Sequence, residues 1–332
     1  MSTSAPPVTP LATPPTDTAV DAWHATVREA HLHDLPGVPP PGRADSAGRL
    51  GVPAARTRTL HLTAPGADGG FDGVASLVLP TDDADRHTAH LDTLAVRPAA
   101  RGHGTGHRLW EALRAALLAD GRTSLSALLE SGGAGERFAR ARGFDNALPL
   151  AWYVQDLRGA LAAQPQAPAL PPGYTHAHWT GTVPDAHAEP FAEAHRAMAD
   201  APSGDPGTPA PAWDADRVRA AARLVEERGG RLLTAAVLHT ATGEVAAYTE
   251  LVLRDPADTR ALQYDTVVTP RHRGRGLGRA VKRHLMGLLP EALPSLREIA
   301  TTVADDNAPM RAVNAALGYR PERPAGYFRT TL

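Results

Sequence analysis

The sequence predicts a mixed α/β fold, with a mixed sheet, used twice in one chain. Strand-like and amphipathic helical runs follow the same order in both halves. A Gly-rich, Arg-rich turn sits between a strand and a helix at residues 99–108, "AARGHGTGHR", and again at 271–280, "RHRGRGLGRA". Arg273 lies 172 residues after Arg101, and Gly318 lies 175 after Gly143. The two offsets differ by three residues, so the halves read as an internal duplication with one short insertion.

Taken in order, residues 1–16 are rich in Pro, Ser and Thr and read as a flexible N-terminal arm. "DTAVDAWHATVREAHL" has helical spacing and opens on Asp17, a capping-type residue. "RTRTLHLT" and "FDGVASLVL" read as antiparallel strands, and "HTAHLDTLAV" as the strand before the first turn. "HRLWEALRAALLADG" is an amphipathic helix with Leu109, Leu113 and Leu117 on one stripe and Gly121 as its stop. A strand, "TSLSALL", a short helix ending at Gly143 and a strand, "LPLAWYVQDL", close the first domain, 17–160. Residues 161–172, "LAAQPQAPALPP", read as the linker.

The second domain, 173–332, repeats the order. It has a strand at "GYTHAHW", helices at "PDAHAEPFAEAHRAM" and "DADRVRAAARLVEERGG", and strands at "RLLTAAVLHT", "EVAAYTELVLR" and "ALQYDTVV". The helix "LGRAVKRHLMGLL" should stop at Pro290. "REIATTV", "APMRAVNAALGY" and "AGYFRTTL" complete it as strand, helix and strand.

Composition narrows the function classes. With 42% hydrophobic and 21% charged residues, the 332-residue chain is ordinary for a globular protein. A net charge of −2 gives no global field favouring nucleic acid or anionic membrane. There are no cysteines, which excludes disulfides and cysteine chemistry. No signal-type or membrane-length apolar run stands out, so the chain reads as cytoplasmic. The histidines lack the partners of a familiar metal motif, so no metal is expected. No Gly-x-Ser-x-Gly elbow points to a serine hydrolase.

A strand–turn–helix with glycines presents free backbone N–H groups and the positive end of a helix dipole, which suits a phosphate. A Walker loop needs Gly-Lys-Ser/Thr, which neither turn has. A Rossmann fingerprint needs Gly-x-Gly-x-x-Gly, and here the spacing is Gly-x-Gly-x-Gly.

The pattern Val-x-Pro-x-x-Arg-Gly-x-Gly-x-Gly stands as Val96, Pro98, Arg101, Gly102, Gly104 and Gly106, and again as Val268, Pro270, Arg273, Gly274, Gly276 and Gly278. It resembles the acetyl-coenzyme A signature of the GNAT superfamily of N-acetyltransferases. "DDNAPMRAVNAALGY" is similar to the family's asparagine-led helix ending in Gly-Phe/Tyr. The resemblance runs from about residue 17 to the end and is closer in the second half. It implies two tandem GNAT acyl-CoA N-acyltransferase domains, a type found among actinomycete proteins such as mycothiol synthase.

By that resemblance the cofactor is acetyl-CoA. Its pyrophosphate would lie on Arg101, Gly102, His103, Gly104, Thr105 and Gly106, or on Arg273, Gly274, Arg275, Gly276, Leu277 and Gly278. The pantetheine arm would enter where the preceding strand splays from its neighbour. Backbone N–H groups near Leu94 and Val96, or Thr266 and Val268, would polarise the thioester carbonyl. Asn307 would contact the pantetheine arm, or act as a plain helix N-cap.

The implied reaction is attack of a small-molecule amine on the thioester. The family's usual acid is a tyrosine four residues before the last helix's Gly. Those positions hold Ala139 and Asn314. Simple alternation puts His90, Asp92, Leu94 and Val96 on one strand face. His90 falls where the family often has its base, with Asp92 beside it to tune it, or the two form an exposed pair. In the second half, Glu250 is the candidate base and Tyr264 is either an acid or a packing residue. Three other readings stay open: one catalytic half with one structural half, a non-catalytic CoA sensor, and a nucleic-acid module built on the basic cluster around Arg271–Arg283. The last is opposed by 5% aromatic content. Neither nucleic acid nor membrane is expected as a partner. The acceptor amine and the choice between monomer and homodimer are open.

Overall fold

The structure, a computed structural model, describes residues 6–197 and 213–332. Met198, the last residue of one expected helix, and residues 1–5 of the expected arm lie outside them. The chain divides into two compact units. Unit 1 is residues 1–148 with 325–332, and unit 2 is 149–324.

Unit 1 contains β1 (Thr9–Pro10), α1 (Asp17–Asp34), α2 (Arg43–Gly51), β2 (Thr57–Pro65), β3 (Phe71–Pro80), β4 (Thr88–Val96), α3 (Thr105–Ala119), β5 (Ser124–Glu130) and α4 (Ala134–Arg140). The strand β6 (Asp145–Asp156) then carries the chain into unit 2. Unit 2 continues with α5 (Leu157–Ala163), β7 (Tyr174–Thr180), α6 (Asp185–Arg196), α7 (Ala215–Glu227), β8 (Arg231–His239), β9 (Val245–Leu253), β10 (Arg260–Val268), α8 (Leu277–Ala292), β11 (Glu298–Ala304) and α9 (Ala308–Ala316). The last strand, β12 (Arg320–Thr331), starts in unit 2 and ends in unit 1.

Each unit has a mixed sheet. In unit 1 the order is β1-β2-β3-β4-β5-β12, and in unit 2 it is β6-β11-β10-β9-β8-β7. The closing strand of each repeat therefore completes the other repeat's sheet. β6 pairs antiparallel with β11, Asp156 opposite Glu298 through Leu150 opposite Ala304. β12 pairs antiparallel with β5, Ala325 opposite Glu130 through Thr331 opposite Ser124. The expected linker at 161–172 is thus not where the units divide. Leu157 and Ala160 of α5 are buried in the unit 2 core, which holds this segment in unit 2.

Apolar periodicity fixes which face each helix covers. In unit 1, Leu109, Leu113 and Leu117 of α3 pack on one face with Leu77, Leu125 and Phe328. Val20, Trp23 and Leu50 of α1 and α2 pack with Val74 on a separate patch. In unit 2, Leu277, Val281, Leu285 and Leu289 of α8 pack with Ala261 and Ile299. Ala188, Phe191 and Val218 of α6 and α7 pack with Tyr248 and Val267.

Several local expectations change. The cap of α1 is Thr16, whose hydroxyl accepts from the Ala19 N–H at 3.3 Å, and Asp17 is the first helical residue. The N-terminal arm is anchored where Thr9 pairs with Thr63. Pro290 lies inside the last turn of α8, which runs on to Ala292. Helix α2 was not expected, because Gly48 and Ser46 weaken its propensity. It forms by burying Ser46, Gly48 and Leu50. No helix among the described residues is long and apolar enough to cross a membrane.

Phe328 is fully buried in unit 1 although it is four residues from the end of the sequence. Phe328→Ala should lower the stability of unit 1 by about 3–5 kcal/mol, the usual cost of emptying a buried aromatic site. Denaturant unfolding checks this. An unchanged transition would mean that residues 325–332 lie outside the cooperative core.

Candidate active site

The two Gly-rich turns have the same backbone. Gly102 and Gly104 have φ of 77° and 80°, and Gly274 and Gly276 have 77° and 76°. These left-handed values favour glycine, and a Cβ at any of the four would meet nothing within 4 Å. Gly104 and Gly276 are the N-caps of α3 and α8, without a side-chain cap bond. The first N–H groups of both helices are thus left for an outside acceptor. The third glycine of each turn has a packing role. A Cβ on Gly106 would come within 3.2 Å of Phe138, and one on Gly278 within 3.3 Å of Val268.

The arginines brace the turns in the same way. Arg101 Nε donates to the Val96 carbonyl at 3.1 Å, and Arg273 Nε donates to the Val268 carbonyl at 3.1 Å. In unit 1 the Arg101 guanidinium also grips Asp34 through two bonds of 2.6 and 2.8 Å. That carboxylate offsets positive charge beside the first turn. His103 is exposed, and Thr105 is buried at the start of α3. In the second turn Arg275 donates to the Tyr174 hydroxyl at 2.7 Å, and Leu277 is buried in the core. Asn307 is the N-cap of α9, its side-chain oxygen accepting from the Met310 N–H at 3.2 Å.

The strand before each turn opens away from its parallel neighbour. β4 pairs with β5 from Thr88–Ser124 to His90–Ser126, and the pairing then stops. β10 pairs with β11 from Arg260–Glu298 to Leu262–Ala300, and stops likewise. Each strand carries a bulge just beyond that point, between Leu91 and Thr93 in β4 and between Gln263 and Thr266 in β10.

The bulges reverse the side-chain alternation. Ala89 and Leu91 face the α3 core, and so do Leu94 and Val96, although the two pairs differ in parity. Ala261 faces the α8 core while Val267 faces the α6/α7 core. The expected single face of His90, Asp92, Leu94 and Val96 is therefore broken, because one extra residue turns the strand over. His90 bonds Ser126 across β5 at 3.1 Å, and burial lowers its pKa. Asp92 is held by Arg49 of α2 at 2.5 Å. In β10, Thr266 bonds Thr249 at 2.7 Å and Val268 packs on the α8 core. Tyr264 is 44% exposed, and its hydroxyl accepts from Arg254.

The bulge in β10 puts Asp265 on the α6/α7 face, beside Glu250 of β9. His195 of α6 completes the group, with one donor atom of each residue within 4.8 Å of the others. Tyr248 shares a 2.9 Å hydrogen bond with His195 Nδ1, which lies 3.9 Å from Asp265. Burial, and then the Asp265 charge, push the Glu250 carboxyl up to about 8. Burial also raises Asp265 and lowers His195 to about 4. Two crowded carboxyls and a neutral imidazole favour a bound cation, such as an ammonium or a metal ion, or the loss of a proton from an approaching amine. Asp265 and His195 were missed in the sequence. Asp265 was hidden by the bulge, and His195 reads as an ordinary helix residue.

The duplication supplies an internal comparison. By strand register, Ser76 of β3 stands where unit 2 has Glu250, Thr93 where it has Asp265, and Val74 where it has Tyr248. Ser76 bonds His61 at 3.0 Å.

The profile of the Acetyltransferase (GNAT) family matches residues 66–144 and 194–319, one stretch in each unit. A tandem GNAT protein from the clavulanic acid biosynthesis pathway, solved without AcCoA, is 30% identical, with a TM-score of 0.83 over 98% of each chain. A GCN5-related N-acetyltransferase from Sphaerobacter thermophilus is 15% identical, with a TM-score of 0.68 over 99% of this chain and 97% of its own. A putative acetyltransferase from Pyrococcus horikoshii is 13% identical, with a TM-score of 0.57 over 98% and 89%. The last two show likeness of fold. No curated protein sequence matches the chain. With a family match in each unit and a tandem relative along its length, the chain belongs to the GNAT acetyltransferase family as a tandem, two-domain member.

Proposed function

We propose that the protein is an acetyl-CoA-dependent N-acetyltransferase acting on a small-molecule amine in the cytoplasm, with its chemistry in unit 2. The observation that carries this reading is the half-buried Glu250–Asp265 pair, set beside the bulge where β10 leaves β11. The relative from clavulanic acid biosynthesis supports a role in secondary metabolism.

The chain's groups fit acetyl-CoA. Gly274 and Gly276 leave the start of α8 open to a pyrophosphate. The parting of β10 from β11 leaves strand edges for the pantetheine arm. Bound acetyl-CoA supplies the activated acyl carbon. Glu250 and Asp265 then draw in the acceptor as an ammonium, whose charge favours the ionised carboxylates. Glu250 takes a proton from the ammonium, which frees the lone pair that attacks, and Asp265 takes the second proton as the nitrogen bonds the acyl carbon. Unit 1 keeps the turn and the open strands but has Ser76 and Thr93 in place of the acids. It serves to bind and not to transfer.

Two measurements test this reading. Calorimetry should detect acetyl-CoA binding, and purified protein that does not bind it contradicts the proposal. Glu250→Gln should reduce kcat by about 10²–10⁴-fold, the usual worth of a general base, while leaving acetyl-CoA affinity intact.

The Glu250 shift also sets a pH dependence. Its native pKa, about 8, lies above the ordinary 4.5. The folded state therefore holds the proton more tightly. That stability is full below about pH 4.5 and is lost as pH rises through about 8. Melting curves should show Glu250→Gln gaining on the parent protein from pH 5 to pH 8. A constant difference would mean that Glu250 is ionised in the resting protein.

A further inference from the structure

We infer that Lys282, held by Asn314, is the group in unit 2 that exchanges a proton with the sulfur of coenzyme A. The inference rests on the reading of unit 2 as the acyl-transfer site and adds the group that acts on the leaving thiol.

Lys282 lies on α8 and is 1% exposed. Its Nζ donates to Asn314 Oδ1 at 2.5 Å and sits 4.5 Å from the centre of the Tyr319 ring. No carboxylate pairs with it among the described residues. Asn314 is itself fully buried, and its Nδ2 has no hydrogen-bond partner. A lysine in such a place is costly when charged, and apolar residues commonly replace buried charges with no loss of stability.

Unit 1 shows that replacement in the same backbone. There the turn-based offset puts Trp110 at the Lys282 position, and the Gly143–Phe144 offset puts Ala139 and Phe144 at Asn314 and Tyr319. The backbone agrees: the Phe144 N–H donates to the Ala139 carbonyl as the Tyr319 N–H donates to that of Asn314. Trp110 and Phe144 meet edge to face, 5.8 Å apart, inside an apolar core. Packing alone therefore gives no reason for a lysine.

Its placement gives one. The Tyr319 hydroxyl donates to Gln263 Oε1 at 2.5 Å. Gln263 is the first residue of β10 beyond its last rung with β11. Gln263 Nε2 continues to Thr249 at 2.8 Å, and Thr249 to Thr266. Unit 1 has Leu91, Ala75 and Leu94 at these positions, all in its apolar core. The polar chain thus starts at the opening where β10 leaves β11 and runs across the α8 side of β10 to β9. Asp265, on the freed stretch of β10, lies on the α6/α7 side beside Glu250 of β9.

A thioester lying in that opening would have its amine partner on one side and Lys282 on the other. The ammonium gives one proton to Glu250, and the freed nitrogen bonds the acyl carbon and gives a second proton to Asp265. The C–S bond breaks, and the sulfur takes a proton from the Lys282 ammonium, which becomes a neutral amine. After the products leave, one of the two protons passes to Lys282 through solvent and the other is released to solvent. Burial lowers Lys282 to about 7, so it exchanges protons near neutrality. Its titratable neighbour, Tyr319, is held by burial above the usual tyrosine range and stays protonated.

The test uses the full chain and coenzyme A with its free thiol, so no acceptor is needed. Thiolate absorbance is titrated with the ligand bound, and calorimetry measures its affinity. The bound thiol should titrate below about 7.5, as thiols beside a cation do. In Lys282→Met it should titrate at or above about 8.5, the ordinary thiol value, with affinity retained. The Met variant should melt no lower than the parent protein, which a purely structural lysine would not allow. Equal thiol titration in parent and variant overturns the inference. If the Met variant does not fold, Asn314→Ala, which copies unit 1, must shift the bound thiol's titration, and an unshifted one overturns the inference. Failure of coenzyme A to bind the parent protein instead overturns the underlying functional reading.

Discussion

One extra residue in the strand before each Gly-rich turn organises both units. The bulge stops β4 from following β5 and β10 from following β11, just after His90–Ser126 and Leu262–Ala300. It also turns the rest of the strand over. Backbone edges are thereby opened on a rigid sheet, and the two faces beside the opening receive side chains that simple alternation would not send there. In unit 2 this sets Asp265 next to Glu250 on one face and leaves Gln263 and Thr266 on the other.

Much of this was legible in the sequence. The turns, the helices after them and the offset between the halves announced themselves through glycines and apolar spacing. Glu250 stood out because a carboxylate inside "AAYTELVL" needs a reason to be there. What was not legible depends on three-dimensional register. His90 and Asp92 were read as sharing a face with Leu94 and Val96, and a bulge has no signature in "HLDTLAV". His195 comes from a distant helix. Lys282 reads as an ordinary charged residue, and its burial follows from the packing of α8 against Tyr319 and Asn314. The exchange of closing strands was also hidden, since β6 and β12 look alike as strands whichever sheet they join.

Comparing the two units separates what the fold requires from what it tolerates. Both keep the turns, the third-glycine packing and the open strands. Unit 1 fills the remaining positions with Val74, Ser76, Trp110 and Ala139, where unit 2 has Tyr248, Glu250, Lys282 and Asn314. Unit 2 thus carries ionisable groups, wholly or partly buried, that the same backbone does without in unit 1. Such groups cost stability unless something offsets them, and the proposed acyl transfer gives Glu250 and Lys282 a task.

The central claim is that unit 2 transfers and unit 1 does not. It is tested most directly by disabling each turn in turn and measuring thiol release from acetyl-CoA with a panel of amines. Gly104 and Gly276 both hold left-handed backbone, so valine at either distorts its turn. Arg273→Ala with Gly276→Val should abolish release, and Arg101→Ala with Gly104→Val should leave most of it. Equal loss from the two pairs, or greater loss from the first turn, would contradict the account.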